Sequence, residues 1–191
     1  PVVVLANMAP VNQLEMLAQC TAHDRFVLAD TMDLWIGIAR EALEKVLAGV
    51  DLLVINETEA REYAGTGNLV EAGNLLRGKG PGYVVIKLGE FGAMLFGPPE
   101  VNHGLFRCGA FPLPEVADPT GAGDTFLGAM AGYLASLGTT GYCFEQIREA
   151  VVRGTVMASF ACEAFSTRRL EELSESDIHG RLQMFREMTC W

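Results

Sequence analysis

Short, largely apolar runs alternate along this chain with longer segments in which apolar residues return every three or four positions. Val2 to Ala6, Phe26 to Ala29, Asp51 to Ile55 and Tyr83 to Leu88 are the short runs, of strand length and without an obvious polar face, as expected of parallel strands buried on both sides. Between them, Val11, Leu14, Leu17 and Ala18 keep helical spacing after Pro10. Trp35 to Leu47 sets Trp35, Ile38, Ala39, Ala42, Leu43 and Val46 against Arg40, Glu41, Glu44 and Lys45, which predicts one amphipathic helix, and Leu69 to Arg77 predicts another. Strand and helix in this rhythm predict crossover units and an α/β fold with a doubly wound, mostly parallel sheet flanked by helices. Gly89-Glu-Phe-Gly92 predicts a tight turn into Ala93 to Phe96 and an antiparallel hairpin, whereas the Gly-rich stretch Lys79 to Gly82 precedes a strand and reads as a loop. Further on, Thr125 to Ala135 is apolar all round and predicts a helix buried in the core, with Gly128 and Gly132 admitting a close neighbour and Gly138 ending it. Glu145 to Phe165 and Ser174 to Met188 complete the helices, the last opened by Ser174 and Asp177 at capping-box spacing.

Composition narrows the classes. With 191 residues, half of them hydrophobic, the chain can bury a full core, and residues 1–191 read as a single domain. No apolar run approaches the roughly 20 residues of a membrane span. A formal charge of −10 and a pI near 4.7 argue against a nucleic-acid partner, since neutralising phosphates takes clustered Lys and Arg. Cys20, Cys108, Cys143, Cys162 and Cys190 are odd in number and lack a Cys-x-x-Cys pair, which predicts reduced thiols and a cytoplasmic protein. His23, His103 and His179 show no ligand spacing.

In α/β sheets of this kind ligands bind beyond the carboxyl ends of the strands. The residues found there are polar throughout: Asn7, Asp30 with Asp33, Asn56 with Glu59, and Lys87 with Gly89. Asp33 is expected to cap the helix near Trp35, and Asp30 is left open, a contact to substrate hydroxyls being one role for it. Asn56 and Glu59, three apart at a helix start, either organise water around a magnesium ion or form a capping box. Lys87 either supplies a point charge to phosphates or points to solvent.

Residues Asp118 to Asp124 read Asp-Pro-Thr-Gly-Ala-Gly-Asp and run into the apolar helix. Pro119 keeps a helix from starting earlier, and Gly121 and Gly123 permit backbone angles and a ligand approach that side chains forbid. The amides of Gly121, Ala122 and Gly123 would then face out of a helix N-terminus, where an anion is favoured. Asp124 beside such a nest repels an anion. It either caps the helix or takes a proton from a hydroxyl that attacks the anion's phosphorus.

The stretch Asp118 to Phe126 resembles the second signature of the ribokinase/PfkB carbohydrate kinase family. The resemblance implies an ATP-dependent kinase in which Asp124 is the base and the amides of Gly121, Ala122 and Gly123 are the anion hole. Asn56 to Glu59 is similar to the family's Asn-x-x-Glu element, which implies support of Mg²⁺ and phosphate, and Lys87-Leu88-Gly89 is similar to its segment at the nucleotide phosphates. By the same resemblance Asp118 and Thr120 contribute to a monovalent cation site, K⁺ in kind, whose other ligands come from around Ala158 to Ser166, and the Glu145 to Phe165 helix flanks the nucleotide. The acceptor implied is a sugar or polyol; a nucleoside or a pyridoxal or hydroxymethylpyrimidine substrate is the alternative on the same scaffold. The Asp-Pro-Thr-Gly-Ala-Gly-Asp form, with no cysteine near the hole, favours the carbohydrate branch. The resemblance runs from Pro1 to Thr189 and covers the later part of a typical member. A fragment is therefore the expectation, lacking the sugar-binding front part and the lid through which a homodimer forms, and a nucleotide-binding module without turnover is the rival from another class.

Overall fold

The computed structural model describes residues 1–189. Its sheet is made by β1 (Val2–Leu5), β2 (Phe26–Asp30), β3 (Leu52–Asn56), β4 (Tyr83–Lys87), β5 (Ala93–Phe96) and β6 (Leu105–Cys108), in that spatial order. The first four strands are parallel, and β5 and β6 are antiparallel to their neighbours. The expected mostly parallel sheet with a hairpin after β4 is thus observed. β6 was not foreseen, because Leu105-Phe-Arg-Cys108 alternates over only four residues.

Side chains of a strand point alternately to the two faces, and here both faces are apolar. Val27, Ala29, Leu53, Ile55, Val84 and Ile86 enter one core. Phe26, Leu28, Leu52, Val54, Val85 and Leu95 enter the other. The first core is closed by the helices that connect the parallel strands: α1 (Pro10–Gln19), α2 (Asp33–Ile38), α3 (Arg40–Leu47), α4 (Glu57–Ala64) and α5 (Leu69–Arg77). The second is closed by α6 (Ala122–Ser136), α7 (Phe144–Ala161) and α9 (Glu175–Thr189), with the short α8 (Arg168–Glu171) before α9.

Several elements differ from their sequence patterns for tertiary reasons. The helix expected over Trp35 to Leu47 is two, broken at Ala39 (φ −134°, ψ 30°). The break coincides with the anchoring of Arg40, whose guanidinium donates to the Tyr63 carbonyl at 2.8 Å and lies 4.3 Å from the centre of the Tyr63 ring. Ile38 is left 71% exposed while Ile36 is buried. Asp33 does not occupy the cap of α2; Met32 does, and Asp33 stands in the first turn with its carboxylate on the Leu34 amide at 2.7 Å. In α1 the buried residue between Pro10 and Leu17 is Gln13, which donates to the Ala6 and Asp30 carbonyls at 3.1 Å each and ties the ends of β1 and β2 together.

The apolar pattern of α6 overstates its burial. Phe126, Leu127, Met130, Ala131 and Leu134 are buried, but Gly128 and Gly132 are exposed and have no neighbour within reach of an added Cβ. The glycine that admits a close approach is Gly154 of α7, where a Cβ would lie 3.0 Å from Phe126. Gly138 does follow the helix, at φ 62°. α7 stops at Ala161 rather than Phe165, since the Cys162 carbonyl turns away to accept the Ala117 amide at 2.9 Å. The Ser174 and Asp177 capping box forms, each backbone amide meeting the other's side chain. Cys20, Cys108, Cys143 and Cys162 are free thiols, and Cys190 lies outside the described residues.

Candidate active site

Of the polar residues at the carboxyl ends of the strands, Asp30, Asn56 and Lys87 converge, whereas Asn7 instead accepts the Trp35 indole N–H at 3.0 Å. Asn56 and Lys87 are register partners at the ends of β3 and β4, and Asp30 ends β2 on the other side of β3. From β4, Lys87 reaches back to Asp30 with Nζ 3.4 Å from Oδ2. The same ammonium lies over the start of α6: a Cβ placed on Gly123 would be 3.2 Å from Lys87 Nζ. Gly123 therefore leaves the space that the lysine head fills, a reason for glycine that has nothing to do with turn geometry.

The start of α6 is built as an open N-terminus. Gly121 holds the cap position in the left-handed region at φ 79°, ψ −1°, which a side chain disfavours. It offers no side-chain acceptor to the helix. Of the three amides expected to form an anion hole, that of Ala122 donates to the Pro119 carbonyl at 3.2 Å, whereas those of Gly121 and Gly123 have no backbone carbonyl among the described residues. Asp124 stands in the first turn, exposed, and its charge is felt at Asp30.

Asn56 and Glu59 open α4 with both halves of a capping box. The Asn56 side chain accepts the Glu59 amide at 2.8 Å, and Glu59 Oε2 accepts the Asn56 amide at 2.9 Å. Glu59 is 7% exposed. Burial pushes its carboxyl above the usual range, opposed by the Asn56 amide and by Lys87. Asp30, 8% exposed, is likewise raised by burial, against the pull of Lys87 and of the Thr31 amide on Oδ1 at 2.9 Å.

A cavity of about 600 Å³ opens from this cluster, a size suited to a small organic ligand. Lys87, Gly89, Ala122 and Gly123 line its polar end. The remainder is walled by Phe111, Leu113 and Val116 after β6 and by Thr155, Ala158 and Ser159 of α7. The two hydroxyls in this wall are turned into their own helix, Thr155 donating to Val151 at 2.9 Å and Ser159 to Val156 at 2.6 Å, so the wall presents little but apolar surface. Asp118, half-buried, and Thr120, exposed, lie outside the cavity, with the Thr120 amide on Asp118 Oδ1 at 2.9 Å. That bond, and next the Thr120 side chain, hold the Asp118 carboxyl below the usual range.

A family model described as pfkB family carbohydrate kinase matches residues 3–173. The chain belongs to this family. A cytidine kinase from Thermococcus kodakarensis (strain ATCC BAA-918 / JCM 12380 / KOD1) is 37% identical over 100 residues, covering 49% of this chain and 33% of that protein. Among solved structures, a ribokinase from Giardia lamblia superposes with a TM-score of 0.78 at 20% identity, over 96% of this chain and 59% of that one. An aminoimidazole riboside kinase from Salmonella enterica, complexed with aminoimidazole riboside and an ATP analogue, gives 0.75 at 20% identity over 95% and 64%. These structural likenesses establish the fold, and this PfkB-family chain spans only part of the length of each relative.

Sequence reasoning placed Lys87, Gly89, Ala122 and Gly123 where they share one cavity, and Asn56 and Glu59 beside them. It missed Asp30 as the partner of Lys87. It also missed the wall from Phe111 to Val116, whose two prolines, Pro112 and Pro114, are a signal of extended, unladdered backbone.

Proposed function

We propose that this chain is the nucleotide-binding and catalytic part of a kinase that transfers the γ-phosphoryl group of ATP, with Mg²⁺, to a hydroxyl of a sugar or polyol. The observation that carries the proposal is the start of α6, an uncapped N-terminus with open amides at Gly121 and Gly123, an ammonium against Gly123 and the carboxylate of Asp124 in the same turn. Asp124 takes the proton of the acceptor hydroxyl as its oxygen bonds to phosphorus and the bond to the bridging oxygen of ADP breaks. The open amides of Gly121 and Gly123 stabilise the charge on the phosphoryl oxygens in flight. Lys87 supplies a point charge to the phosphates and Gly89 lets them approach the backbone, while the apolar cavity receives the base.

Among the described residues no three acidic, histidine or cysteine groups stand together as a metal cage. That suits magnesium, which rides on phosphates and water with one or two carboxylates. Glu59 spends Oε2 in the capping box and retains Oε1, so Glu59 and Asn56 would hold the ion through water; when bound it neutralises phosphate charge. Asp118 and Thr120 are the proposed place of a monovalent cation such as K⁺, next to the Ser166 turn. Among the described residues no helix is long and apolar enough to cross a membrane. On the reading of its cysteines as reduced thiols we place the protein in the cytoplasm, with a small-molecule substrate.

ADP release from ATP and Mg²⁺ across a panel of sugars, polyols and nucleosides, with ATP binding followed by calorimetry on the same chain, tests the proposal. Acceptor-dependent release is the expected result. Binding heat without it would make the chain a nucleotide-binding module and overturn the phosphotransferase assignment. The 37% identity to a cytidine kinase favours a second reading, a nucleoside as acceptor, and release with nucleosides alone would select it over sugars.

A further inference from the structure

We infer that Asp30 is a positioning residue of the phosphate site, a fixed counter-ion that holds the Lys87 ammonium against Gly123 when no phosphate is present and draws it back when phosphate leaves. The inference rests on the assignment of Lys87 to the nucleotide phosphates.

Asp30 is unusually well fixed. Its carbonyl accepts Gln13 Nε2 at 3.1 Å, and its Oδ1 accepts the Thr31 amide at 2.9 Å. Oδ2 is left facing Lys87 Nζ at 3.4 Å, with the two side chains only 10% and 20% exposed. Lysine has four rotatable bonds and would otherwise sample solvent. Instead its head is held over Gly123, which has no side chain to displace it. The other charges facing this pair are carboxylates, Asp124 near Asp30, and Glu59, which faces both Asp30 and Lys87.

A phosphate entering the site therefore meets an ammonium already partnered by a buried carboxylate. Asp30 weakens ground-state attraction for phosphate and keeps the cation oriented, and both effects favour turnover over tight retention. Removing the carboxylate charge leaves the ammonium unopposed, so an anion should bind more tightly, which is the reverse of what loss of a merely structural residue does.

Asp30→Asn preserves the side-chain shape and the acceptor for the Thr31 amide. The probe is inorganic tripolyphosphate, titrated by calorimetry into the wild-type chain, Asp30→Asn, Lys87→Met and the double variant. We expect Lys87→Met to weaken binding about tenfold and Asp30→Asn to tighten it about fivefold. The double variant should gain far less over Lys87→Met than Asp30→Asn gains over wild type, because Asp30 acts chiefly through the ammonium it holds. Asp30→Asn that weakens binding or leaves it unchanged, or that tightens it equally without Lys87, overturns the inference alone. No binding by the wild-type chain, or binding indifferent to Lys87→Met, overturns the phosphate assignment of Lys87 and the inference with it. The wild-type chain gives a second readout that needs no variant: the ¹³C carboxyl resonance of Asp30 should shift as tripolyphosphate draws the ammonium away, and a resonance that stays put also overturns the inference.

Discussion

Two helices begin at the carboxyl ends of the strands and are capped in opposite ways. α4 is closed, since Asn56 and Glu59 satisfy each other's backbone amides, an arrangement worth about 1 kcal/mol. α6 begins on Gly121 with no side chain to accept an amide. The two starts lie close together, because Asn56 pairs with Lys87 in the sheet and Lys87 reaches Gly123. Where the chain completes its own hydrogen bonds it gains stability, and where it leaves them open it leaves room for a ligand.

The harshest test of the open end is Asp124→Asn. If Asp124 is the base, turnover falls by roughly 10²- to 10⁴-fold while ATP affinity and the melting temperature hold. If it only favours the helix start, turnover persists and the loss, a few tenths of a kcal/mol, appears in stability.

Gly123→Ala should separate stability from binding. Alanine in a helix is about 0.8 to 1 kcal/mol better than glycine, so the variant should melt at a slightly higher temperature. Its methyl would stand 3.2 Å from Lys87 Nζ, so the flexible lysine head must give by a few tenths of an ångström, and ATP should bind about two- to threefold more weakly as the charge-assisted contact lengthens. Tighter binding in calorimetry would remove Lys87 and Gly123 from the phosphate site.

The closed end gives the milder counterpart. Asn56→Ala removes one half of the box and should cost about 1 kcal/mol, or a fall of about 2–4 °C in melting temperature for a chain of this size. Any loss of Mg²⁺-dependent ATP affinity beyond that marks a second role for Asn56.

The legible parts of this fold were those governed by local rules. The strand runs, the Leu69–Arg77 helix and the turn after Lys87 follow from periodicity and glycine placement, and the open N-terminus of α6 follows from Pro119, Gly121 and Gly123. What was hidden depends on partners distant in sequence. Asp30 and Lys87 are 57 residues apart, and nothing in either neighbourhood announces the pair. The exposure of Gly128 and Gly132 was hidden likewise, because an apolar pattern cannot say which neighbours are present. Asn56 and Glu59 were legible twice over, as a cap and as a metal element. The geometry realises the first without using Glu59 Oε1.

The smallest effect concerns the carboxylates buried between the two helix starts. In the unfolded chain Asp and Glu lose their protons near pH 4, whereas burial raises the carboxyls of Asp30 and Glu59 in the fold. Between the unfolded and folded values the native state holds more protons than the unfolded one, so stability falls as pH rises through that window. Asp118 and Asp177, lowered by the amide of Thr120 and by the Ser174 side chain, act in the opposite sense and lose their contribution as pH falls below about 4. Melts of wild type and Asp30→Asn from pH 4 to 8 should show a shallower decline in the variant, because one of the two carboxyls that favour the acid side is gone. Parallel curves would mean that Lys87 offsets the burial of Asp30 in full, and the tension at this end of the site would then belong to Glu59.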